Sequence, residues 1–89
     1  MADAEQIRKR IAAIAGRRNN TTLSEIEWVV NQLKEHCPTN TRDARHGKLF
    51  RVGNRRFMVN FHNPGSRQVK PYSVDEFIDA MTDLGWYEE

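Results

Sequence analysis

Residues 48–61 read KLFRVGNRRFMVNF, and this stretch decides the fold. Its two halves are rich in aromatic and β-branched residues, a composition that favours β-strands. Gly53 and Asn54 lie between the halves, and a two-residue loop of this kind is typical of a tight hairpin with positive φ. The stretch therefore predicts two antiparallel strands joined by that loop.

The loop also sets the register of the hairpin. It predicts three facing pairs, which are Val52 with Arg55, Phe50 with Phe57, and Lys48 with Val59. Because side chains alternate between the two faces of a strand, one face collects the apolar residues Phe50, Val52, Phe57, Val59 and Phe61. The other face collects Arg51, Arg56, Met58, Asn60 and His62. We expect the first face to be core and the second to be solvated and basic.

Positive charge is concentrated around this hairpin. Between residues 42 and 72 a single acid, Asp43, accompanies eight basic residues: Arg42, Arg45, Lys48, Arg51, Arg55, Arg56, Arg67 and Lys70. From residue 73 onward the chain has six acidic residues and no Lys or Arg, so the net charge of +2 hides this layout. A basic sheet beside an acidic helix indicates a polyanionic partner, and we expect nucleic acid.

Apolar residues at helical spacing predict three helices. The first begins at the cap Asp3 and ends at Gly16, the second begins at Thr22 and ends near Cys37, and the third begins at the cap Ser73. The three apolar stripes are Ile7, Ile11 and Ile14; Leu23, Ile26, Val30 and Leu33; and Val74, Phe77, Ile78, Met81 and Leu84. Each helix therefore has one face to bury.

The remaining segments complete the predicted architecture. Residues 68–70 predict a short third strand that ends at Pro71, and residues 39–41 predict a turn. The element order is then α-α-β-β-β-α. An α+β fold, with a three-stranded antiparallel sheet and helices packed on one face, buries all of these stripes.

The size of the chain fits one domain. We predict a single domain over residues 1–89, with residues 1–18 as an accessory N-terminal helix and residues 19–89 as the core. The single cysteine, Cys37, fits a reducing compartment. No apolar run is long enough to span a bilayer, and residues 1–6 lack the layout of a secretion signal. We therefore expect a cytoplasmic protein that does not contact membranes.

Three segments, in their order and spacing, resemble the HicA family of toxins from bacterial toxin–antitoxin pairs. They are residues 19–27 (NNTTLSEIE), 46–51 (HGKLFR) and 69–77 (VKPYSVDEF). The resemblance runs from about Asn19 to Trp86. It implies a layout like that of double-stranded-RNA-binding domains, metal-free cleavage of messenger RNA, and neutralisation by a HicB-type antitoxin protein.

The family's catalytic residue is a histidine in a Gly-Ser-His element. The corresponding residues 44–48 of this chain read ARHGK. Alignment on the aromatic and basic residues that end the strand puts Gly47 at the catalytic position and His46 one residue earlier. The resemblance therefore implies catalysis by His46 only with a shift of one residue.

Metal-free RNA cleavage needs proton transfer at the 2′-hydroxyl and at the leaving oxygen, and positive charge for the phosphate. Histidine suits the proton transfers because imidazole titrates near neutral pH. We predict His46 as the general acid/base, with the RNA-binding residues Arg45, Lys48, Arg51 and Arg56. If the strand extends back to His46, this side chain faces the helices; otherwise the strand starts later or His46 lies at a rim. By geometry alone His62 is an equally good proton carrier.

Other classes of function stay open. The departure from Gly-Ser-His favours a non-catalytic nucleic-acid-binding module of the same fold, and a third class is a domain whose basic face binds only a protein. The phenylalanines are explained by burial and the basic face has no aromatic residue, which argues against recognition by base stacking. We expect no metal or cofactor, because the spacing of a metal site is missing from His36, Cys37, His46 and His62.

Overall fold

The computed structural model describes residues 3–61 and 68–88. Its elements, in chain order, are α1 (Ala4–Ala15), a 3₁₀ turn (Arg18–Asn20), α2 (Leu23–Leu33), β1 (Thr39–Ala44), β2 (Gly47–Val52), β3 (Arg55–Asn60) and α3 (Pro71–Asp83). The strands form one antiparallel sheet in the order β1-β2-β3. The predicted α+β class and the three-stranded antiparallel sheet are therefore confirmed.

The hairpin of β2 and β3 has the predicted register. The three facing pairs are the predicted ones: Val52 with Arg55, Phe50 with Phe57, and Lys48 with Val59. Gly53 has a φ of 59°, and no residue other than glycine has a positive φ in the described part of the chain. A positive φ at the first central residue alone is the pattern of a type II′ turn, whose twist matches that of the flanking strands.

The third strand is not the predicted one. Residues 39–41, which the sequence predicts as a turn, belong to β1, and β1 pairs with β2 along its whole length. Its residues are exposed or half-buried throughout, so it has no apolar alternation from which to predict a strand. The predicted third strand is reduced to isolated bridges, which join Gln68 to Thr22 and Val69 to Phe61.

Helices cover one face of the sheet. The side chains of Phe50, Val52, Phe57 and Val59 are at most 1% exposed and share one hydrophobic core with the apolar stripes of the helices. The ring of Phe57 stacks on Phe50 at a centroid distance of 5.4 Å and meets Phe77 of α3 at 5.6 Å. The predicted core face is therefore confirmed for these four residues, whereas the fifth, Phe61, follows the end of β3 and is only partly buried.

Helix α1 belongs to the same core. Its residues Ile7, Ile11 and Ile14 are fully buried, and the helix packs against α2 and α3. It begins at the predicted cap, where Gln6 N donates to Asp3 Oδ1 at 2.9 Å and Asp3 N donates to Gln6 Oε1 at 3.2 Å. The described residues of the predicted accessory helix (1–18) are thus packed against those of the predicted core (19–89).

The other two helices differ from prediction at their ends. Thr22 precedes α2, but its side chain makes no capping hydrogen bond, and the helix ends at Leu33 rather than near Cys37. Helix α3 begins at Pro71, so Ser73 lies inside its first turn and is not the cap. The Ser73 hydroxyl instead accepts a hydrogen bond from Asn60 N at 2.9 Å. The Ser73 hydroxyl, which the local sequence predicts as a helix cap, therefore makes a tertiary contact with β3.

Candidate nucleic-acid interface

The face of the sheet turned away from the helices is the candidate interface, and we call it the open face. By strand alternation it is formed by Asn40, Arg42 and Ala44 of β1, Gly47, Leu49 and Arg51 of β2, and Arg56, Met58 and Asn60 of β3. All nine belong to the described part of the chain, and the set contains three arginines and no acid. The open face is therefore basic, as predicted for β2 and β3.

Two of these arginines stand directly opposite each other. Arg51 and Arg56 are facing partners across the hairpin and both are exposed. Like charges in facing positions lower the stability of a sheet. Within residues 3–61 and 68–88, no carboxylate forms an ion pair with Arg42, Arg51 or Arg56. The open face thus carries positive charge that the described protein does not neutralise.

On the covered face of the same sheet, by contrast, the basic residues form ion pairs. Lys48 Nζ lies 3.1 Å from Glu27 Oε2 and 3.9 Å from Asp43 Oδ1. Arg55 Nε lies 3.1 Å from Asp83 Oδ2 of α3. Of the residues predicted to bind RNA, the structure therefore places Arg51 and Arg56 together, and it places Lys48 on the opposite face beside a helix.

A shallow depression lies on the open face. Its volume is about 150 Å³, and it is lined by Asn40, Arg42, Leu49, Arg51 and Arg56. Sites for small organic molecules typically have volumes of roughly 300–1,000 Å³. Guanidinium groups present planar donor pairs that match phosphate oxygens. The size and the donors therefore fit a phosphate group better than an organic cofactor.

Arg42 is a member of this face that the site prediction missed. Its side chain joins Arg51 and Arg56 because β1 lies beside β2, with Arg42 facing Leu49. The charge count of the sequence includes Arg42, but without a predicted strand at residues 39–44 it has no assigned face. A predicted strand at residues 39–44 would have placed Arg42 on the same face as Arg51.

His46 lies in the turn between β1 and β2, next to Arg45, and both residues are exposed. Strand β2 begins at Gly47, so the alternative in which the strand starts after His46 is the correct one. Arg51 is four positions after Gly47, which corresponds to about 13 Å along a strand. His46 and Arg51 therefore lie near opposite ends of β2.

Gly47, which the resemblance aligns with the catalytic histidine, has no space for a side chain. It is buried, and a Cβ atom there would overlap the carbonyl oxygen of Val59. The same atom would lie 2.8 Å from the Val59 carbonyl carbon and 2.9 Å from Asn60 Cα. The packing of β3 against β2 therefore excludes a histidine at this position.

An aromatic residue stands at the margin of the open face. Tyr72, near the start of α3, is 53% exposed, and Asn60 Nδ2 donates to its hydroxyl at 2.8 Å. Asn60 faces Gly47, so Tyr72 lies at the same end of the sheet as His46. The nine residues of the open face include no aromatic residue, as expected, and Tyr72 lies beside them on α3.

His62, the alternative proton carrier, and Arg67, one of the eight basic residues of the charge count, lie outside the described residues. Among residues 3–61 and 68–88, no group of three or more His, Cys, Asp or Glu side chains is arranged to hold a metal ion. None of the helices in this part of the chain combines the length and the apolar character needed to cross a bilayer. The described site therefore consists of arginines, one exposed histidine and one exposed tyrosine.

Comparisons of the chain with protein-family models, with curated proteins and with solved structures gave no significant match. The resemblance to the HicA family therefore rests on the three segments of sequence described above.

Proposed function

We propose that the protein is a cytoplasmic RNA-binding domain of HicA-like type, with the layout of a double-stranded-RNA-binding domain, and that its open face contacts RNA phosphates. The observation that carries the proposal is the contrast in ion pairing between the two faces. Arg42, Arg51 and Arg56 have no acidic partner among the described residues, whereas Lys48 and Arg55 have one.

The chemistry of these side chains fits the sugar–phosphate backbone. Arginine stays charged at all physiological pH values and binds phosphate through two parallel hydrogen bonds. Contacts of this kind supply affinity without a choice of sequence, and they release counterions from the nucleic acid. The proposal therefore requires RNA binding that weakens steeply as salt concentration rises.

The test measures RNA affinity as a function of salt by fluorescence anisotropy. The double variant Arg51→Gln/Arg56→Gln removes two charges from the open face, and Lys48→Gln/Arg55→Gln removes two from the covered face. For single-stranded RNA the slope of log affinity against log salt falls by about 1.4 in the first variant. The second variant keeps the wild-type slope. Equal effects of the two variants, or salt-insensitive binding by the wild type, would show that the open face is not the RNA site.

Cleavage of the bound RNA is a second candidate function, and the exposure of His46 beside Arg45 at one end of the open face favours it. In such a reaction the 2′-oxygen attacks phosphorus, the bond to the 5′-oxygen breaks, and protons leave the first oxygen and reach the second. His46 would act as the general acid/base. Arg45 would supply positive charge to the phosphate.

Expression of the wild type should then arrest growth, and His46→Ala should relieve the arrest and abolish RNA cleavage in a chelator-containing buffer. His36→Ala is the matched control because His36 is also exposed but packs against Trp86, at a centroid distance of 5.1 Å. Relief by His62→Ala instead would reassign the proton transfer to His62. A wild type that neither arrests growth nor cuts RNA would leave binding as the function and exclude cleavage.

A HicB-type antitoxin is the protein partner that this proposal includes. An acidic surface on such a partner would cover Arg42, Arg51 and Arg56 and compete with RNA. If the wild type binds an acidic partner but no RNA at low salt, the domain belongs to the third class, in which the basic face serves only a protein.

A further inference from the structure

Tyr72 is the large hydrophobic residue that the fold leaves exposed. In the described part of the chain every other large apolar side chain is buried or partly buried, while 53% of Tyr72 is accessible. A single exposed aromatic ring on a surface is common and needs no explanation by itself. Its fixed position beside a basic face makes this ring a candidate contact for a ligand of that face.

Hydrogen bonds hold Tyr72 in place. Asn60 Nδ2 donates to the phenolic oxygen at 2.8 Å. Residues on both sides of Tyr72 are also bound to the end of β3: the backbone Lys70 N donates to Asn60 O at 3.0 Å, and the Ser73 side-chain hydroxyl accepts from Asn60 N at 2.9 Å. A rigid aromatic ring loses little conformational entropy when a ligand covers it.

Positive charge lies close to the ring. Lys70 Nζ is 5.8 Å from the centre of the Tyr72 ring. Asn60, which holds the phenol, is itself a member of the open face and faces Gly47, next to Arg45 and His46. The ring therefore lies at the end of the open face that holds Asn60 and Gly47, and Lys70 supplies a cation for a phosphate next to a stacked base.

We propose that Tyr72 stacks on an unpaired nucleobase, so that the ligand of the open face is single-stranded RNA. This inference rests on the proposed RNA-binding function. Stacking on an aromatic ring tolerates any base, since every base has a π-face. In a duplex the bases are stacked on one another and their faces are not available. Asn60 is a positioning residue, because it orients the ring and does not itself need to touch the base.

The test uses three RNA probes of equal length: a single strand, the same strand built from abasic riboses, and a duplex. Tyr72→Ala should weaken binding of the single strand by about 5- to 150-fold. It should weaken binding of the abasic strand and of the duplex by less than about twofold, because only phosphate contacts hold them. Fluorescence anisotropy at fixed salt gives the three affinities.

Two further variants separate the ring from its bulk and its hydroxyl. Tyr72→Phe keeps the ring and should bind the single strand like the wild type, within about threefold. Tyr72→Leu keeps an apolar side chain without a π-system and should behave like Tyr72→Ala. Thermal unfolding confirms that each variant is folded, and if Tyr72→Ala unfolds, the pair Tyr72→Phe and Tyr72→Leu carries the test.

The outcomes distinguish this inference from the function on which it rests. If the wild type binds no RNA, the proposed function fails and the inference fails with it. If binding depends on Arg51 and Arg56 but Tyr72→Leu binds the single strand as tightly as the wild type, only the stacking role is wrong. A loss that is equal for base-containing and abasic strands also overturns stacking, since the ring would then act on the backbone.

Discussion

Basic residues that are neighbours in the sequence lie on opposite faces of the sheet, and only those on the covered face form ion pairs with the described acids. Arg55 and Arg56 are neighbours, but Arg55 reaches Asp83 of α3, whereas Arg56 faces Arg51 on a surface without acids. A charge count along the chain therefore does not identify a binding surface. The face on which each charge lies decides whether the protein itself neutralises it.

The difference follows from what covers each face. Helices α2 and α3 lie against the covered face and bring Glu27 and Asp83 within reach of Lys48 and Arg55. Among residues 3–61 and 68–88 the helices pack on the other side of the sheet, and the nine residues of the open face include no acid. Its arginines therefore remain available to an external anion, at the cost of mutual repulsion.

The largest expected effect on stability comes from a packed residue of the covered face. Phe57→Ala should lower the free energy of unfolding by about 3–5 kcal/mol, because Phe57 is 1% exposed and contacts both Phe50 and Phe77. The neighbouring open-face variant Arg56→Ala should change it by no more than about 0.5 kcal/mol. Chemical denaturation gives both values. A similar loss in both variants would mean that the open face is packed against another part of the protein.

Gly47 lies on the open face but has no space for a side chain. Gly47→Ala should lower the free energy of unfolding by about 1–3 kcal/mol, because the new Cβ would overlap the Val59 carbonyl. Gly47→His, which restores the histidine of the family alignment, should lower it at least as much and should not raise RNA cleavage above that of the wild type.

Gly16 provides the matched control for this glycine. A Cβ there would lie 3.6 Å from Ala13 O, and the residue already has right-handed helical geometry with a φ of −77°. Gly16→Ala should therefore raise the free energy of unfolding by roughly 0.4–1 kcal/mol. If Gly47→Ala is as stable as Gly16→Ala, the close approach of β2 and β3 at Gly47 is incorrect.

The smallest expected effect has opposite signs on the two faces. Arg55→Gln should lower the free energy of unfolding by about 0.2–1 kcal/mol, because it removes the partly exposed ion pair with Asp83. Arg56→Gln should raise it by roughly 0.2–0.5 kcal/mol, since it relieves repulsion from Arg51. Both differences should shrink in high salt. A loss of stability in both variants would reveal an acidic partner for Arg56 within the protein.

Much of the central hairpin was predictable because its information is local. The loop at Gly53 and the alternation of apolar residues specified the register and both faces. Strand β1 was not predictable in the same way, because its exposed residues carry no apolar period. The placement of the charged residues was accordingly predicted in part: Arg51 and Arg56 share the open face as predicted, Arg42 had no predicted face, and Lys48 lies on the covered face.

Sequence alone determined the apolar stripes, the β2–β3 register and the concentration of positive charge, since each depends on the order of side chains along a single segment. Only the tertiary structure decided which charges are free, because ion pairing depends on what α2 and α3 bring across the sheet. It also decided that Tyr72 lies at the margin of the open face, because Asn60 Nδ2 donates to the Tyr72 hydroxyl and Asn60 N donates to the Ser73 hydroxyl.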